Sequence, residues 1–338
     1  MPRPHIYLLV ALLAAFGISH FSDQIDPYHL DVIIGIGINI ILAVSLNLVN
    51  GHTGQFSLGH AGFMSVGAYL AAAVSIYLGP RFLGEEGGTA LQQGLLFLGA
   101  LVAGGLGAAL AGLVVGVPSL RLKGDYLARV TLGFGEIIRV IFQNVEFLGG
   151  ALGLNGIPPY TTIFWVLAFV ALSVFTVTCL VSSTYGRGFL ATKDDEIASE
   201  AVGLNTTRYE ITAFVIGAFF AGAGGSLYGH YLGSFSPAGF YFAYTFSLIS
   251  MLVIGGMRSM TGAVVGVIVV SLLSELLRNL ERGFDIGIVA VPPLYGASQI
   301  VLGIIFILIM IFRPSGVMGD LELSFGRIAA LLHKGRKE

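Results

Sequence analysis

The sequence predicts an all-α, polytopic integral membrane protein with about ten transmembrane helices. Hydrophobic residues make up 55% of the 338 residues and charged residues only 11%, whereas soluble domains carry about 25% charged residues. Apolar runs long enough to approach a hydrocarbon core about 30 Å thick recur from end to end. The 48 glycines suit helices that pack closely within a bilayer. Membrane lipid is therefore the expected solvent of this chain.

Charge and cysteine content exclude other classes of protein. The formal net charge is -2, so the chain lacks the basic footprint that nucleic-acid binding requires. Cys179 is the one cysteine, and we expect it to pack as a small hydrophobe because it has no intrachain disulfide partner. Histidines and cysteines show no metal-ligand spacing, so we predict no metal site.

Ten apolar runs are candidate transmembrane helices, and a count of eight or nine stays open because some runs are weak. The first and eighth runs are short, the third is interrupted by polar residues, and the fifth is the most polar. The first run lacks a small-x-small cleavage site, so we expect an uncleaved helix rather than a signal peptide. The ten runs are 6–22, 30–50, 55–79, 91–117, 124–143, 163–183, 208–232, 242–257, 261–280 and 293–312.

The distribution of basic residues predicts that both termini are cytoplasmic. Lysine and arginine concentrate on the cytoplasmic side of membrane proteins, and with a cytoplasmic N-terminus this chain follows that rule. The cytoplasmic set is Arg3, Arg121, Lys123, Arg187, Lys193, Arg208, Arg258, Arg313, Arg327, Lys334, Arg336 and Lys337. The outer set is only Arg81, Arg278 and Arg282. We expect one transmembrane domain over 1–338, a cytoplasmic loop at 184–207 and a cytoplasmic tail at 313–338.

Small residues recur at four-residue steps on two of the runs. Such stripes let helix backbones approach closely, so we interpret them as scaffold packing rather than as a substrate path. The stripes are Gly104, Ala108, Gly112 and Gly116, and Ala213, Gly217, Ala221, Gly225 and Gly229.

A polar, glycine-rich segment at 47–63 interrupts the second and third runs. Irregular backbone at membrane depth persists only inside protein or along a wet cavity. One interpretation is therefore a conduit lining, and the alternative is a tight turn between helices whose polar groups bond neighbouring backbone. Candidate pathway residues here are Asn47, Asn50, Gln55, Ser57 and His60. A histidine such as His60 is more often a hydrogen-bonded packing residue than a proton relay.

The run at 124–143 carries four charged residues. Arg129 is placed to pair with Asp125 at i,i+4, and Arg139 with Glu136 at i,i+3. Charges within a membrane segment normally face the bundle interior or water. Glu136 therefore joins the candidate pathway residues. The alternative is a set of charges near the two interfaces whose long side chains reach outward.

The predicted cytoplasmic loop 184–207 is long enough for a short amphipathic helix. Phe189, Leu190, Ile197, Ala201 and Val202 supply an apolar face, and Gly203 or Asn205 can end the helix. Such a helix fits a groove on a soluble partner; the alternative is a helix lying on the membrane surface. Its charged residues are Arg187, Lys193, Asp194, Asp195, Glu196 and Glu200. Four acids against two bases disfavour anionic lipid, so we favour the partner.

The sequence lacks a G-x-x-x-x-G-K-[ST] motif, so we expect no nucleotide bound through a P-loop. No G-x-S-x-G or H-E-x-x-H constellation is present either. An ion-coupled secondary transporter stays possible, because glycine-broken helices occur in that class. Its coupling would need a carboxylate at mid-depth, and Glu136 is the plausible candidate.

Four sequence blocks resemble the LivM-type permeases, the branched-chain amino acid importers of the ATP-binding-cassette superfamily. The resemblance runs from about Asn47 to Gly319, and the second block is the most specific. The blocks are GHTGQFSLGH at 51–60, RLKGDYLARVTLGFGEIIR at 121–139, KDDEIA at 193–198 and FRPSGVMG at 312–319. Arg129 departs from the small or apolar residue expected at its position.

The resemblance implies a multi-pass permease of the bacterial inner membrane that works within a complex. Its expected partners are a homologous second permease, two cytoplasmic ATP-binding subunits and a periplasmic substrate-binding protein. ATP and Mg²⁺ would bind the ATPases, and this chain would hold no cofactor and catalyse no reaction. Loop 184–207 would be the coupling helix, in which apolar residues such as Ile197 anchor the ATPase while charges such as Lys193 orient it at the rim and contribute little individually.

The implied cargo is leucine, isoleucine and valine, moved into the cytoplasm. Importers of urea and short amides use close relatives of this permease, and another amino acid is a further alternative, because the binding protein does much of the selecting.

Overall fold

The computed structural model describes residues 4–84, 88–120, 122, 124–281, 284–285, 290–291, 296–319 and 322. The chain divides into two compact units, Met1–Ile249 and Ser250–Glu338. Several residues used in the topology prediction lie outside the described residues, as does most of the predicted tail 313–338. These residues are Arg3, Arg121, Lys123, Arg282, Arg327, Lys334, Arg336 and Lys337.

The described residues form thirteen α-helices, and a helix forms at each of the ten predicted runs. The helices are α1 Pro4–His20, α2 Pro27–Asn47, α3 His60–Ala73, α4 Gly79–Leu83, α5 Ala90–Ser119, α6 Asp125–Asn144, α7 Ile163–Ser182, α8 Thr184–Asp194, α9 Glu196–Ala201, α10 Thr206–Leu232, α11 Phe242–Gly255, α12 Met260–Glu281 and α13 Ala297–Phe312. Two π-helical turns extend α2 and α3, at Leu48–His52 and Val74–Leu78.

Among the described residues, four two-residue strands form two antiparallel pairs. They are β1 Leu154–Asn155, β2 Ser234–Phe235, β3 Phe284–Asp285 and β4 Ala290–Val291. Leu154 pairs with Phe235, which fastens the segment after α6 to the end of α10. Phe284 pairs with Val291.

Within the part of the chain that the structure describes, seven helical segments are long and apolar enough to cross a membrane. The seven are Pro27–His52, His60–Leu83, Ala90–Ser119, Ile163–Ser182, Thr206–Leu232, Pro237–Gly255 and Met260–Arg278. The helices α1 and α13 are apolar but shorter. The remaining predicted run became α6, whose four charged residues keep its hydropathy below that of the others. The chain is thus an all-α, multi-pass membrane protein.

Helix α10 lies at the centre of the first unit and packs against α2, α3 and α5. The predicted glycine stripes are what permit this packing. A Cβ at Gly112 would lie 2.6 Å from the Cβ of Ala218, and one at Gly217 would lie 2.8 Å from Val49 Cγ2. Both distances are too short for real side chains, so glycine is required at these crossings. The interpretation of the stripes as scaffold packing is confirmed.

Helix α7 packs against α1 and α2 on another side of the first unit. Phe16 of α1 meets Phe164 of α7 edge to face, with ring centroids 6.3 Å apart. Phe16 is nevertheless 64% exposed. Helix α1 therefore presents apolar side chains outward, as a lipid-facing helix does.

The predicted pairing of Asp125 with Arg129 is wrong. The guanidinium of Arg129 lies over the ring of Tyr126 instead, with its Cζ 5.7 Å from the centroid. The ring quadrupole of an aromatic side chain attracts a cation by about 0.5–1 kcal/mol at an exposed site, and Arg129 is exposed. The predicted pair of Glu136 and Arg139 is confirmed, with 2.7 Å between Oε2 and Nε.

The predicted single helix in loop 184–207 is instead two helices, α8 and α9. They separate at Asp195, whose backbone is extended and whose side chain accepts a hydrogen bond of 2.9 Å from the amide of Ala198. An aspartate in this role starts a new helix because it satisfies one of the free N–H groups of its first turn. Gly203, at φ +88°, closes α9 as predicted, and its amide donates to the Glu200 carbonyl.

The second unit contains the α12–α13 pair and the turn that follows α13. Gly255 sits against Gly262 and Gly266, so α12 starts close to the end of α11. After α13, the amides of Val317 and Met318 donate to the carbonyls of Ile254 and Gly255. The described start of the predicted tail is therefore fastened to the end of α11.

Candidate functional site

The candidate site is the helix break between α2 and α3. Helix α2 ends at Asn47, the π-helical turn Leu48–His52 follows, and the chain is then irregular until α3 begins at His60. The polar side chains of this segment are at most 8% exposed. They are Asn47, Asn50, His52, Thr53, Gln55, Ser57 and His60. The break is therefore buried in protein, which is the condition for irregular backbone at membrane depth.

The Asn50 side chain bonds both backbone groups of Ser57 across the break. Its Oδ1 accepts a hydrogen bond of 3.1 Å from the Ser57 amide, and its Nδ2 donates to the Ser57 carbonyl at 3.4 Å. Thr53 donates from Oγ1 to the Val49 carbonyl at 2.7 Å. An asparagine side chain can accept a hydrogen bond from a backbone N–H and donate one to a backbone C=O. Asn50 thus supplies the two hydrogen bonds that Ser57 lacks because the chain is not helical there. For Asn50, this geometry favours the tight-turn interpretation over a conduit lining.

Neighbouring helices also accept hydrogen bonds from backbone amides at the break and at the start of α3. Thr131 of α6 accepts the Leu58 amide at 3.0 Å, and Thr245 of α11 accepts the Ala61 amide at 3.0 Å. The His60 ring lies 2.9 Å from the Ser45 hydroxyl, so His60 is a hydrogen-bonded packing residue. Thr131 and Thr245 were not among the predicted site residues. Thr131 lies within the 121–139 block. Its hydroxyl group, in a helix that also carries four charged residues, was the signal from which a hydrogen-bonding role could have been predicted.

Other polar atoms of the break are buried without a hydrogen-bond partner among the described residues. They include both amide atoms of Gln55, the hydroxyl of Ser57 and Nε2 of His52. Each such atom costs about 1–3 kcal/mol when it is removed from water and left unpaired. Asn47 is fully buried at the end of α2. Gln55 and Ser57 therefore offer hydrogen-bonding capacity that the fold itself does not use.

A cavity of about 300 Å³ opens beside Gln55. Three elements contribute residues to its wall: the break, the start of α6, and α8–α9. The lining includes Gln55, Phe56, Leu122, Asp125, Lys193 and Asp194. A pocket of this volume lies at the lower end of the range for small-molecule sites.

Lys193 connects α8 directly to the break. Its Nζ donates a hydrogen bond of 2.5 Å to the carbonyl oxygen of Gly51. The lysine stem covers Gly54, where an added Cβ would lie 2.9 Å from Lys193 Cγ. Lys193 was predicted to be a charge at the rim of the ATPase interface, and in the structure it lies partly buried against the break.

Glu136 lies away from the 300 Å³ cavity. Its side chain is 35% exposed and pairs with Arg139. It borders a smaller cleft with Leu58, Ala61 and Thr245.

Helix α9 presents apolar side chains outward. Ile197 and Val202 are each 77% exposed, whereas Phe189 of α8 is fully buried. Phe189 packs edge to face on Tyr209 at the start of α10, and Glu200 accepts a hydrogen bond of 2.8 Å from Thr206. The buried Phe189 therefore fastens α8 to α10 and the Glu200–Thr206 hydrogen bond fastens α9, while Ile197 and Val202 stay available to another surface.

Comparison with known proteins places these features in context. The family model described as "Branched-chain amino acid transport system / permease component" matches residues 28–310. The high-affinity branched-chain amino acid transport system permease protein LivM of Salmonella typhimurium is 34% identical over 260 residues, which cover 67% of this chain and 58% of that protein. The LivM protein of Escherichia coli K12 gives the same identity and coverage. The chain thus spans 58% of the length of these two relatives.

A second group of relatives matches more weakly. The permease protein LivH of Escherichia coli K12 is 25% identical over 163 residues, which cover 48% of each chain. The probable LivM of Methanocaldococcus jannaschii is 25% identical over 242 residues, which cover 67% of this chain and 69% of that protein. No solved structure matches the chain.

Proposed function

Because this chain belongs to the family of branched-chain amino acid transport permeases, we propose that it is a transmembrane subunit of an ATP-driven importer for leucine, isoleucine and valine. The family match over residues 28–310 carries this proposal. The relatives named LivM and LivH are permease proteins of a high-affinity branched-chain amino acid transport system. In this proposal a homologous second permease pairs with the chain, two ATP-binding subunits drive it, and a periplasmic binding protein delivers the cargo.

The geometry of loop 184–207 supports attachment of an ATPase. Helix α9 exposes Ile197, the residue Val202 that follows the helix is equally exposed, and a hydrogen bond from Thr206 to Glu200 fastens α9 to α10. An exposed apolar anchor on a rigid short helix is the form that a soluble partner's groove accepts. We propose that Arg187, Asp194, Asp195 and Glu196 surround this anchor and set its orientation.

The proposed substrate conduit lies at the interface with the partner permease, bordered by the break between α2 and α3. A conduit for apolar amino acids needs a mostly apolar wall with a few hydrogen-bonding groups, and weak binding so that release is fast. The unused polar atoms of Gln55 and Ser57 supply such groups. Asn50 and His60 instead support the backbone that carries them.

Uptake by the assembled complex tests the proposed function. The tagged chain is purified from membranes of its own organism with its partners, reconstituted in liposomes, and supplied with radiolabelled leucine. We expect uptake that requires ATP and binding protein together. Uptake driven by a proton or sodium gradient without ATPases would favour the secondary transporter, and Glu136→Gln should then abolish it. Uptake of urea or short amides in place of leucine would move the assignment to those importers.

Cysteine labelling tests the orientation. In a Cys179→Ser background, a single cysteine at 152 should react with an impermeant reagent added to spheroplasts, because Leu152 is 88% exposed and lies on the proposed outer side. A cysteine at 194 should react only after permeabilisation. Labelling of position 194 from outside would overturn the proposed topology, and with it the attachment of an ATPase to α9.

A further inference from the structure

The contact between Lys193 and Gly51 joins two segments that are 142 residues apart in the chain. A lysine ammonium carries three donors on a flexible stem, and water normally satisfies them. Here the stem lies over Gly54 and the ammonium reaches a backbone carbonyl. A hydrogen bond from a charged donor is stronger than a neutral one. The lysine therefore ties α8 to the break rather than orienting a partner at a rim.

The Lys193–Gly51 hydrogen bond is called the tie below, and its α8 end is held by further contacts. Ser183 caps α8 by accepting hydrogen bonds from the amides of Tyr185 and Gly186. Phe189 is fully buried, and Thr192, one residue before Lys193, donates to the Gly188 carbonyl at 2.9 Å. Because only Asp195 separates α8 from α9, little chain is available to absorb a displacement of α9 before it reaches Lys193.

The break end of the tie lies at the point where helical hydrogen bonding stops. Gly51 belongs to the π-helical turn Leu48–His52, and the irregular segment begins two residues later. Gly54, at φ +75°, turns the chain beneath the lysine stem. A side chain at Gly54 would strain that backbone and displace the stem as well. The sequence GHTG at 51–54 thus provides both an accessible carbonyl and room for the lysine.

We propose that Lys193 is a positioning residue that transmits movement of α8–α9 to the α2–α3 break during the transport cycle. The inference rests on the proposed function, since that function supplies the ATPase that moves α9. Displacement of α9 pulls or releases the Gly51 carbonyl and thereby changes the conformation of the segment that carries Gln55 and Ser57. Ile197 attaches the ATPase, and Lys193 connects the attached helix to the conduit.

Lys193→Met tests the tie, because methionine keeps the apolar stem and removes the ammonium. The assay measures leucine taken up per ATP hydrolysed in proteoliposomes that contain the complete complex. We expect the ATPases to co-purify at the wild-type ratio and hydrolysis to stay within about twofold. Uptake per ATP should fall about tenfold, in line with the strength of a charge-assisted hydrogen bond. Lys193→Arg should restore at least about half of the lost coupling, since guanidinium also donates to carbonyl oxygens.

Arg208→Met is the matched control. Arg208 is an exposed cation in the first turn of α10, and its replacement removes the same charge from the same side of the protein. Uptake per ATP should then equal the wild-type value. An equal fall in Arg208→Met and Lys193→Met would show a general effect of charge and would overturn the inference.

Three further outcomes decide the question. Unchanged uptake per ATP in Lys193→Met would refute the tie. Loss of ATPase binding, or uptake and hydrolysis that fall together so that their ratio is unchanged, would show that Lys193 serves attachment or folding, which also refutes it. A wild-type complex that binds no ATPase would overturn the proposed function itself, and this result is recognisable before any variant is made.

Discussion

Replacement of Ile197 by aspartate should detach the proposed ATPase without unfolding the chain. Ile197 is 77% exposed, so its removal leaves no cavity in the fold. It stands in the first turn of α9, directly after Asp195 and Glu196. A further carboxylate there interacts favourably with the positive end of a helix. A loss of assembly in this variant therefore reports on the interface rather than on α9 itself.

The expected magnitude follows from the exposed fraction of Ile197. Complete burial of an isoleucine side chain contributes about 1.5–3 kcal/mol, and the exposed share leaves roughly 1–2 kcal/mol for a partner to gain. An aspartate in the same groove adds an unpaired buried carboxylate, which costs at least about 1–3 kcal/mol more. A total near 3 kcal/mol corresponds to roughly a hundredfold weaker ATPase binding.

Co-purification and stimulated hydrolysis measure the effect. The tagged permease is titrated with its ATPase in detergent, and ATP hydrolysis is then recorded with and without loaded binding protein. Val202→Asp should weaken binding in the same way, because Val202 is equally exposed directly after α9. Leu152→Asp, which places a charge at an exposed position on the proposed outer side, should leave ATPase affinity unchanged. Wild-type affinity in a correctly inserted Ile197→Asp protein would refute the docking surface and point to the loop around Arg258.

Two stability predictions concern the break and the scaffold. Asn50→Leu should lower the unfolding free energy of the purified complex by about 1–3 kcal/mol, because it leaves buried backbone groups unpaired; Gln55→Leu should keep or raise it, and an equal loss in both would contradict the assigned hydrogen bonds. Gly104→Ala should destabilise the protein by about 1–3 kcal/mol, since the added Cβ would lie 2.7 Å from the Gly67 carbonyl oxygen. Gly99→Ala is its control on the same helix, where a Cβ meets nothing within 4 Å, and thermal unfolding distinguishes the two.

The helices were predictable because each rests on local properties of the sequence. Apolar runs and four-residue glycine spacing predicted the helix positions and the close crossing at Gly112. The pair of Glu136 and Arg139 also followed from spacing along one helix. The contact of Arg129 did not follow from spacing, because the ring of Tyr126, one turn away, competed with Asp125 for the guanidinium. Spacing identifies the possible partners of a charged side chain but does not rank an ion pair against a cation–π contact.

The site was less predictable because its decisive contacts are not local. The motif at 51–60 indicated a break, and the polar residues in it were correctly expected to be buried or to line a path. Nothing in the sequence separates Asn50, whose side chain bonds the backbone, from Gln55, whose side-chain amide bonds none of the described residues. The tie from Lys193 joins positions far apart in the chain, so charge patterning alone classified it with exposed neighbours.

The central place of α10 has a consequence for the order in which the protein is made. Helices α2, α3 and α5 pack against α10, yet α2 ends at Asn47 and α10 begins only at Thr206. A ribosome that adds about 5–20 residues per second needs roughly 10–30 s to cover that interval. During this time the glycine-lined faces of the early helices sit in the bilayer without their partner. A nascent chain arrested before residue 206 should therefore remain a loose set of inserted helices, and emergence of α10 should be the event that converts them into a folded bundle.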